Sequence, residues 1–483
     1  MSLSPKSVLI VGGGTAGWMT ACFLAKTWKN TGIKIQLLES DSIGTIGVGE
    51  GSTPYLKQFF DFLGVTETDW MQYCDATYKM GISFEDWASP QGSKSYFHPF
   101  FSELDIPTAT QFFSNVNKRR QGFSADVSPA HYFVAAEMVR QNIMPNQLKE
   151  PVQLDYAYHF DAGKLGLFLK QVALELGVEH TIGTVSEVPT QNGLIQSVIT
   201  KEQHQITAEL FVDCSGFRGL LSKQALNRQF TSYSDTLFND SAVAIPTSLN
   251  SNELTKPQTR SVALKSGWMW DIPLTTRRGN GYVYSSKFCT PDQAETELRD
   301  TLGVDDSVSA RHLKMQVGRL EQHWSGNCLS IGLSQGFIEP LEATALMLVQ
   351  YALHHFVDCW QSDQQGDIYA RYNQEMNRMF DGIRDYIAAH YYLNTRTDSA
   401  YWKACREDIK VPHNLDYLVQ SWDQGHTFED ALNRVAPSLV YLRPSWYCIL
   451  AGMGRFNLAT VPLEAHNHDV LRNLQNTTQK WFD

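Results

Sequence analysis

The 483-residue chain has no Cys-x-x-Cys pair, no dense block of lysine and arginine, and no apolar run long enough to cross a bilayer. Each gap removes a class of protein. The eight cysteines (Cys22, Cys74, Cys214, Cys289, Cys328, Cys359, Cys405 and Cys448) lie far apart. Scattered thiols argue against a disulfide framework or a zinc ribbon and read as buried groups in a reducing compartment, so a cytoplasmic protein is expected. No cluster has metal-ligand spacing, and no metal is expected. With 40 Lys+Arg against 51 Asp+Glu the net charge is −11, which makes nucleic acid an unfavourable partner. The early run Val8-Leu9-Ile10-Val11 is too short for a signal-peptide core and passes straight into glycines. No membrane partner is expected. Repeats and low-complexity tracts are missing too. What the chain does have is 43% hydrophobic and 12% aromatic residues, enough for a large core shared by two closely joined domains.

The β-branched run Val8–Val11 suits a buried parallel strand. Helical character follows from Ala16 to Thr27, then the strand-like alternation Lys34–Leu38. A βαβ opening of this kind sets the class as α/β. Further on, the pattern predicts a helix over roughly 163–176, a hairpin around Asn192-Gly193 and a strand over Ile206–Cys214. Strand-like segments dominate from about Thr231 to Ser286. After Pro340 the character changes to long helices, Ala343–Trp360 and Asp367–Tyr392, crowded with Tyr, Phe and His.

The turn between the first strand and helix reads Gly12-Gly13-Gly14-Thr15-Ala16-Gly17, a match to G-x-G-x-x-G at Gly12, Gly14 and Gly17. Its setting is the one a dinucleotide needs. The glycines allow a tight turn, close approach to a pyrophosphate and tight helix packing, while the helix start at Thr15 and Ala16 offers amides and a positive dipole end. Glu39, closing the second strand, is placed to accept a ribose hydroxyl. NAD stays open at this point. Two later strand-then-glycine segments favour FAD: Asp213-Cys214-Ser215-Gly216, and Cys328 to Gly332-Leu333, where backbone can lie close to an isoalloxazine ring.

The segment Gly267-Trp268-Met269-Trp270-Asp271-Ile272-Pro273 contains W-x-W-x-I-P. On that motif the chain resembles the flavin-dependent tryptophan halogenases. Several other segments carry the same resemblance in order: Gly17-Trp18, Gly47 to Pro54 (with Gly49), Ala76-Thr77-Tyr78-Lys79, Gly336 to Glu342, Arg384 to Tyr391, and Tyr401-Trp402. The resemblance implies a Rossmann-like FAD-binding fold of the flavin monooxygenase type with a largely helical substrate-binding part. Its boundaries are expected as an FAD-binding domain over 1–345, with 75–150 contributing to the substrate site, and a mainly helical domain over 346–483.

It also implies a chemistry: FADH2- and O2-dependent halogenation of an electron-rich, indole-like ring, with the reduced FAD supplied by a separate flavin reductase and chloride or bromide as co-substrate. The carriers are assigned by motif. Lys79, which by itself reads as a surface lysine, is the family's essential amine, able to hold hypohalous acid by hydrogen bond or to capture the halogen as a haloamine. Glu342, which alone suits a helix N-terminus, becomes its acidic partner. Thr344 and Ala345 supply the halide-binding amides. Trp268 and Trp270, two apart and so on one face of a strand, read equally as core; the resemblance makes them, with Ile272 and Pro273, the wall of a passage from the flavin. His98, Phe97, Phe100 and Trp446 are the candidate substrate contacts. A flavin-dependent aromatic hydroxylase is the competing reading, and a homodimer is the assembly kept in view.

The chain departs from the family in two places. Where the family reads Glu-Ser-Thr-Gly, this chain has Glu342-Ala343-Thr344-Ala345, which leaves halide preference open. The family's tyrosine-rich C-terminal lid has no counterpart; Arg443-Pro444-Ser445-Trp446-Tyr447-Cys448 comes nearest. A more open site for indole-like or larger aromatics is expected.

Overall fold

The structure is a computed structural model that describes residues 5–41, 49–88, 95–148, 152–249, 255–361, 367–456 and 474. Gly47 and Val48 of the resemblance lie outside these. Two compact units are present, and each takes three separate stretches of chain. The first comprises residues 1–76, 160–233 and 315–380, the second 77–159, 234–314 and 381–483. A single boundary near 345 therefore does not divide them. Strands from distant parts of the chain pair in both units, which a left-to-right reading of composition does not reveal.

In the first unit the apolar run forms the strand Ser7–Val11, parallel to Lys34–Glu39 on one side and to Leu210–Asp213 on the other. The sheet order is Trp324–Ser325, Cys328–Ser330, Leu210–Asp213, Ser7–Val11, Lys34–Glu39, Glu179–Ile182. The helix Thr15–Thr27 is buried along most of its length, which suits its apolar sequence. The helix expected near 163–176 is Ala162–Glu175, started by Asp161, whose carboxylate accepts the Lys164 amide at 3.0 Å. Asn192 and Gly193, at φ +52° and +75°, form the two-residue hairpin turn between Thr190–Gln191 and Leu194–Ile195. The strand expected over Ile206–Cys214 is broken in two, Gln205–Ile206 and Leu210–Asp213, and the two pieces serve different sheets.

The second unit is built on a seven-stranded sheet in the order Arg311–Lys314, Ser241–Ala244, Arg278–Tyr284, Gly267–Pro273, Thr259–Leu264, Gly81–Glu85, Ser95–Pro99. Its back face carries Met269, Tyr282 and Tyr284 against Ala294 and Leu298 of the helix Pro291–Leu302. The front face is aromatic. Register places Tyr96, Phe84, Ser261, Trp270 and Gly281 in one row across five strands. The long helix expected over Asp367–Tyr392 runs from Ile368 to Tyr392, its residues up to 380 counted in the first unit and the rest in the second. Among the described residues no helix is long and apolar enough to cross a membrane.

Candidate active site

The first unit offers a cradle for a dinucleotide. A Cβ on Gly12 would stand 2.2 Å from the Cys214 carbonyl oxygen, and one on Gly17 would stand 1.9 Å from the Gly12 carbonyl oxygen. Both positions are closed by backbone. Gly14, by contrast, has nothing within 4 Å of its notional Cβ. It caps the helix without a side-chain hydrogen bond, and the first turn carries no acidic residue. Open space beside the residue that caps this helix is what a pyrophosphate requires, so the residues fit the group. The Glu39 carboxylate lies against Gly13 and 2.9 Å from Lys170 Nζ. A Cβ on Gly332, at φ +73°, would stand 2.7 Å from Ala16 Cβ, which places the third strand-glycine segment against the fingerprint helix. Leu333 follows in the same tight turn, Gly332–Ser334.

Asp213 behaves differently from the sequence expectation of a cofactor contact. One of its oxygens accepts from the Ser215 amide and hydroxyl, and the other from the amides of Leu221 and Ser222 and the Ser222 hydroxyl. Five internal donors occupy a carboxylate with no solvent exposure. Asp213 ties the following turn into place, and its main-chain neighbour Cys214 is the part that meets the fingerprint. Gly49 is buried in the short strand Gly49–Gly51.

Beside it, burial pushes the Glu50 carboxyl up to about 7, with Asp161 adding like charge. A carboxyl raised in the fold binds its proton more tightly there than in the unfolded chain. It therefore subtracts stability as pH rises from the ordinary 4.5 through 7. Glu50→Gln is expected to melt like the parent at pH 5 and at a higher temperature than the parent at pH 8. Equal melting temperatures at both pH values would remove this assignment.

Glu342 is buried and ends a single tight turn, Pro340–Glu342. The long helix does not start there, as the sequence suggested, but at Ala345. Between them Ala343 adopts φ +57°, ψ +36°, a left-handed conformation that costs a non-glycine residue about 1–2 kcal/mol. Thr344 is buried, and its carbonyl accepts the Leu348 amide, so the first-turn amides at Thr344 and Ala345 are those left without a helical acceptor. Ala343→Gly relieves the strain but frees the unfolded chain, and the two effects offset to within about 1 kcal/mol. Ala343→Val, β-branched in the same conformation, is expected to lower stability by more than about 2 kcal/mol. Equal melting temperatures for the glycine and valine variants would contradict the strained geometry.

In the second unit Lys79 is the last residue of the strand Thr77–Lys79 and is 1% exposed. That degree of burial is exceptional for a lysine. Its ammonium lies 5.5 Å from the centre of the Phe100 ring, which brings together two residues that the sequence assigned separately, one to catalysis and one to the substrate. Opposite Thr77 stands His159, fully buried. Desolvation, with Lys79 and Arg278 adding like charge, holds His159 well below the usual histidine range.

Trp268 and Trp270 do share a face, with ring centres 6.4 Å apart at 63°. Trp270 lies on Gly281, whose notional Cβ would be 2.0 Å from the indole, so this glycine makes room for the tryptophan. Ile272 follows on the same face, and Pro273 ends the strand. Asp271 projects to the other side, where Arg278 grips it at 2.8 Å and Arg260 at 3.0 Å. His98 belongs to the aromatic face, through its register with Ile82. Its ring lies 6.0 Å from Tyr386, and Trp446 meets Tyr386 edge-on at 5.1 Å. His98 and Trp446 are thus joined through Tyr386, which is also stacked on Tyr441 at 3.7 Å.

Phe97 does not join them. Strand alternation turns it to the opposite face, where its ring covers Gly81. Sequence reasoning assigned no role to Tyr386, Thr77 or His159, although Thr77 and Tyr386 sit inside segments that carried the resemblance. His159 had no local signal, because its partners are 82 and 100 residues away.

The tryptophan halogenase family profile matches residues 7–469. A tryptophan 6-halogenase of Streptomyces toxytricini is 37% identical over 95% of this chain and 91% of its own. A tryptophan 7-halogenase of Lentzea aerocolonigenes is also 37% identical, over 96% of this chain and 93% of its own. The crystal structure of the Streptomyces toxytricini enzyme superposes with a TM-score of 0.85 at 35% identity, covering 99% of this chain and 96% of that one. A flavin-dependent halogenase from Xanthomonas campestris superposes at 0.84 with 30% identity, covering 99% and 94%. Fold, dinucleotide cradle and relatives together define a flavin-dependent halogenase, an oxidoreductase with a Rossmann-like FAD-binding fold. The chain belongs to the tryptophan halogenase family.

Proposed function

We propose that this enzyme halogenates an indole-type aromatic ring, with Lys79 as the group that carries the halogen. The observation that carries the reading is the almost completely buried Lys79 amine set on Phe100, an uncommon placement for a lysine. Bound FAD, kept reduced by a separate flavin reductase, supplies hypohalous acid from O2 and chloride or bromide. Gly12, Gly14, Thr15, Ala16, Gly17, Glu39, Gly49, Gly332 and Leu333 would hold it, and the amides of Thr344 and Ala345 would hold the halide.

The protein's own steps follow. Lys79 positions hypohalous acid by hydrogen bond, or captures its halogen: an N–X bond forms, the O–X bond breaks and water leaves. The ring carbon then takes the halogen, and Glu342 accepts the ring proton. Trp268, Trp270 and Ile272 keep the aromatic substrate away from the flavin. His98, Tyr386 and Trp446 form the wall that receives the ring; their aromatic faces suit an indole. Two relatives are named for tryptophan, and tryptophan belongs in the test beside simpler indoles. The eight free, buried cysteines support a reducing, cytoplasmic setting.

The test is turnover with a flavin reductase, oxygen and either chloride or bromide against tryptophan, indole and larger indoles, read by mass spectrometry. A product carrying halogen is expected. Hydroxylated product alone would replace this reading with an aromatic hydroxylase.

A further inference from the structure

Lys79 sits on a strand of only three residues, and a short strand positions a side chain poorly unless something else fixes it. The side chains around it supply the fixture. Thr77 Oγ1 donates to the Pro273 carbonyl at 2.7 Å. The same hydroxyl lies 3.0 Å from His159 Nδ1, and His159 Nε2 lies 2.9 Å from Thr259 Oγ1. Pro273 ends the strand that bears Trp268 and Trp270. Thr259 starts the neighbouring strand. One chain of hydrogen bonds, buried at His159, therefore ties the lysine strand to the tryptophan strand.

The Pro273 carbonyl and an uncharged ring together fix the direction of every proton in that chain. A carbonyl only accepts, so the single Thr77 hydroxyl proton goes to Pro273. His159 Nδ1 must then carry the hydrogen that Thr77 accepts. Nε2 is left as an acceptor, and the Thr259 hydroxyl donates to it. This arrangement needs an uncharged ring, which agrees with the low proton affinity that burial and the cations Lys79 and Arg278 impose on His159. A charged imidazole here would add a third cation beside Lys79 and take from the Thr259 hydroxyl proton its acceptor in this chain.

We propose that His159, in the Nδ1–H form, is a positioning residue that fixes the reach of Lys79 by locking its strand, through Thr77, to Pro273. The proposal rests on the role given to Lys79 above. It assigns His159 no contact with substrate or flavin. Thr77 and His159 are directly paired across the strands, as are Lys79 and Ala157. Thr77 and Lys79, two apart, face the same side of their strand, so a displacement of Thr77 is passed on to the amine.

The first measurement is ¹⁵N NMR of the full-length protein labelled at histidine, with the His159 resonance identified by its loss in His159→Gln. A protonated Nδ1, an unprotonated Nε2 and no titration between pH 6 and 9 are expected. The Nε2–H tautomer, or a titrating ring, would overturn the proposal. The second is the ratio of halogenated product to reduced flavin consumed. Thr77→Val and His159→Phe are expected to lower that ratio about tenfold or more while flavin oxidation continues. Thr77→Ser keeps the hydroxyl, and His159→Gln offers an N–H toward Thr77 and an oxygen toward Thr259; both should restore most of it. If Thr77→Val couples as well as the parent, or Thr77→Ser couples as badly as valine, the hydroxyl does not position Lys79. Should the larger changes prevent folding, the tautomer measurement on the unaltered protein still decides. Lys79→Ala separates the two claims. It should lose the product but keep the His159 tautomer, whereas persistence of product in that variant would fault the role of Lys79 and not the hydrogen-bonded chain.

Discussion

Lys79→Ala is expected to lower halogenated product by two to four orders of magnitude while the reduced flavin is still consumed at close to the parent rate. The size follows from the job assigned to the amine. Without a positioned carrier, hypohalous acid reaches the ring as a freely diffusing oxidant, and the advantage of holding the reacting atoms together is lost. Lys79 is no part of the Gly12–Gly17 turn assigned to the dinucleotide, so flavin binding is expected to persist without it. Lys79→Met makes the sharper variant. It keeps most of the side-chain volume above Phe100 and removes only the amine. A stable methionine variant without halogenated product would show that the loss is chemical. Product at the parent level in either variant, measured against total flavin turnover, would end the assignment of Lys79. Loss of flavin consumption together with product would place the lysine in the flavin reaction instead.

Much of the first unit could be read from the sequence because its information is local. The run Val8–Val11, the glycines after it and Glu39 at the end of the next strand lie within 32 residues, and each constrains the same turn. The structure adds what each glycine is for: Gly12 and Gly17 are closed by backbone, and Gly14 faces open space. Asp213 shows the limit of such reading. A strand ending in Asp then Gly suggested a cofactor contact, yet the five hydrogen bonds to its carboxylate all come from the next nine residues. Nothing in the sequence distinguishes an outward acceptor from an inward one. The second unit was harder, since its sheet joins strands separated by more than a hundred residues. Trp268 and Trp270 could be put on one face by period alone. Phe97 and His98, adjacent in sequence, could not both line that face, and strand alternation, had it been applied to Ser95–Pro99, would have separated them. The hydrogen-bonded chain from Pro273 to Thr259 was illegible, because it depends on register between three distant segments.

The contrast between Gly12 and Gly14 gives the second large effect, in flavin binding rather than chemistry. Gly14→Val should leave the unliganded fold within about 1 kcal/mol of the parent, because Gly14 has φ −76° and ψ 179°, which valine adopts readily, and its notional Cβ touches nothing within 4 Å. The space it would fill is the one assigned to the pyrophosphate. FAD affinity should therefore fall at least about 100-fold, or roughly 2.7 kcal/mol, with the melting temperature of the flavin-free protein unchanged. Gly12→Val should behave otherwise. At φ +119° and with the Cys214 carbonyl 2.2 Å from the added carbon, it must push apart two central strands, so stability and flavin binding should fail together. Fluorescence titration with FAD beside thermal melts without it separates the outcomes. Tight FAD binding by Gly14→Val would mean that the dinucleotide does not cross the start of this helix. Equal melting of the flavin-free Gly12→Val and Gly14→Val proteins would mean that the closed and open glycines are not distinct in solution.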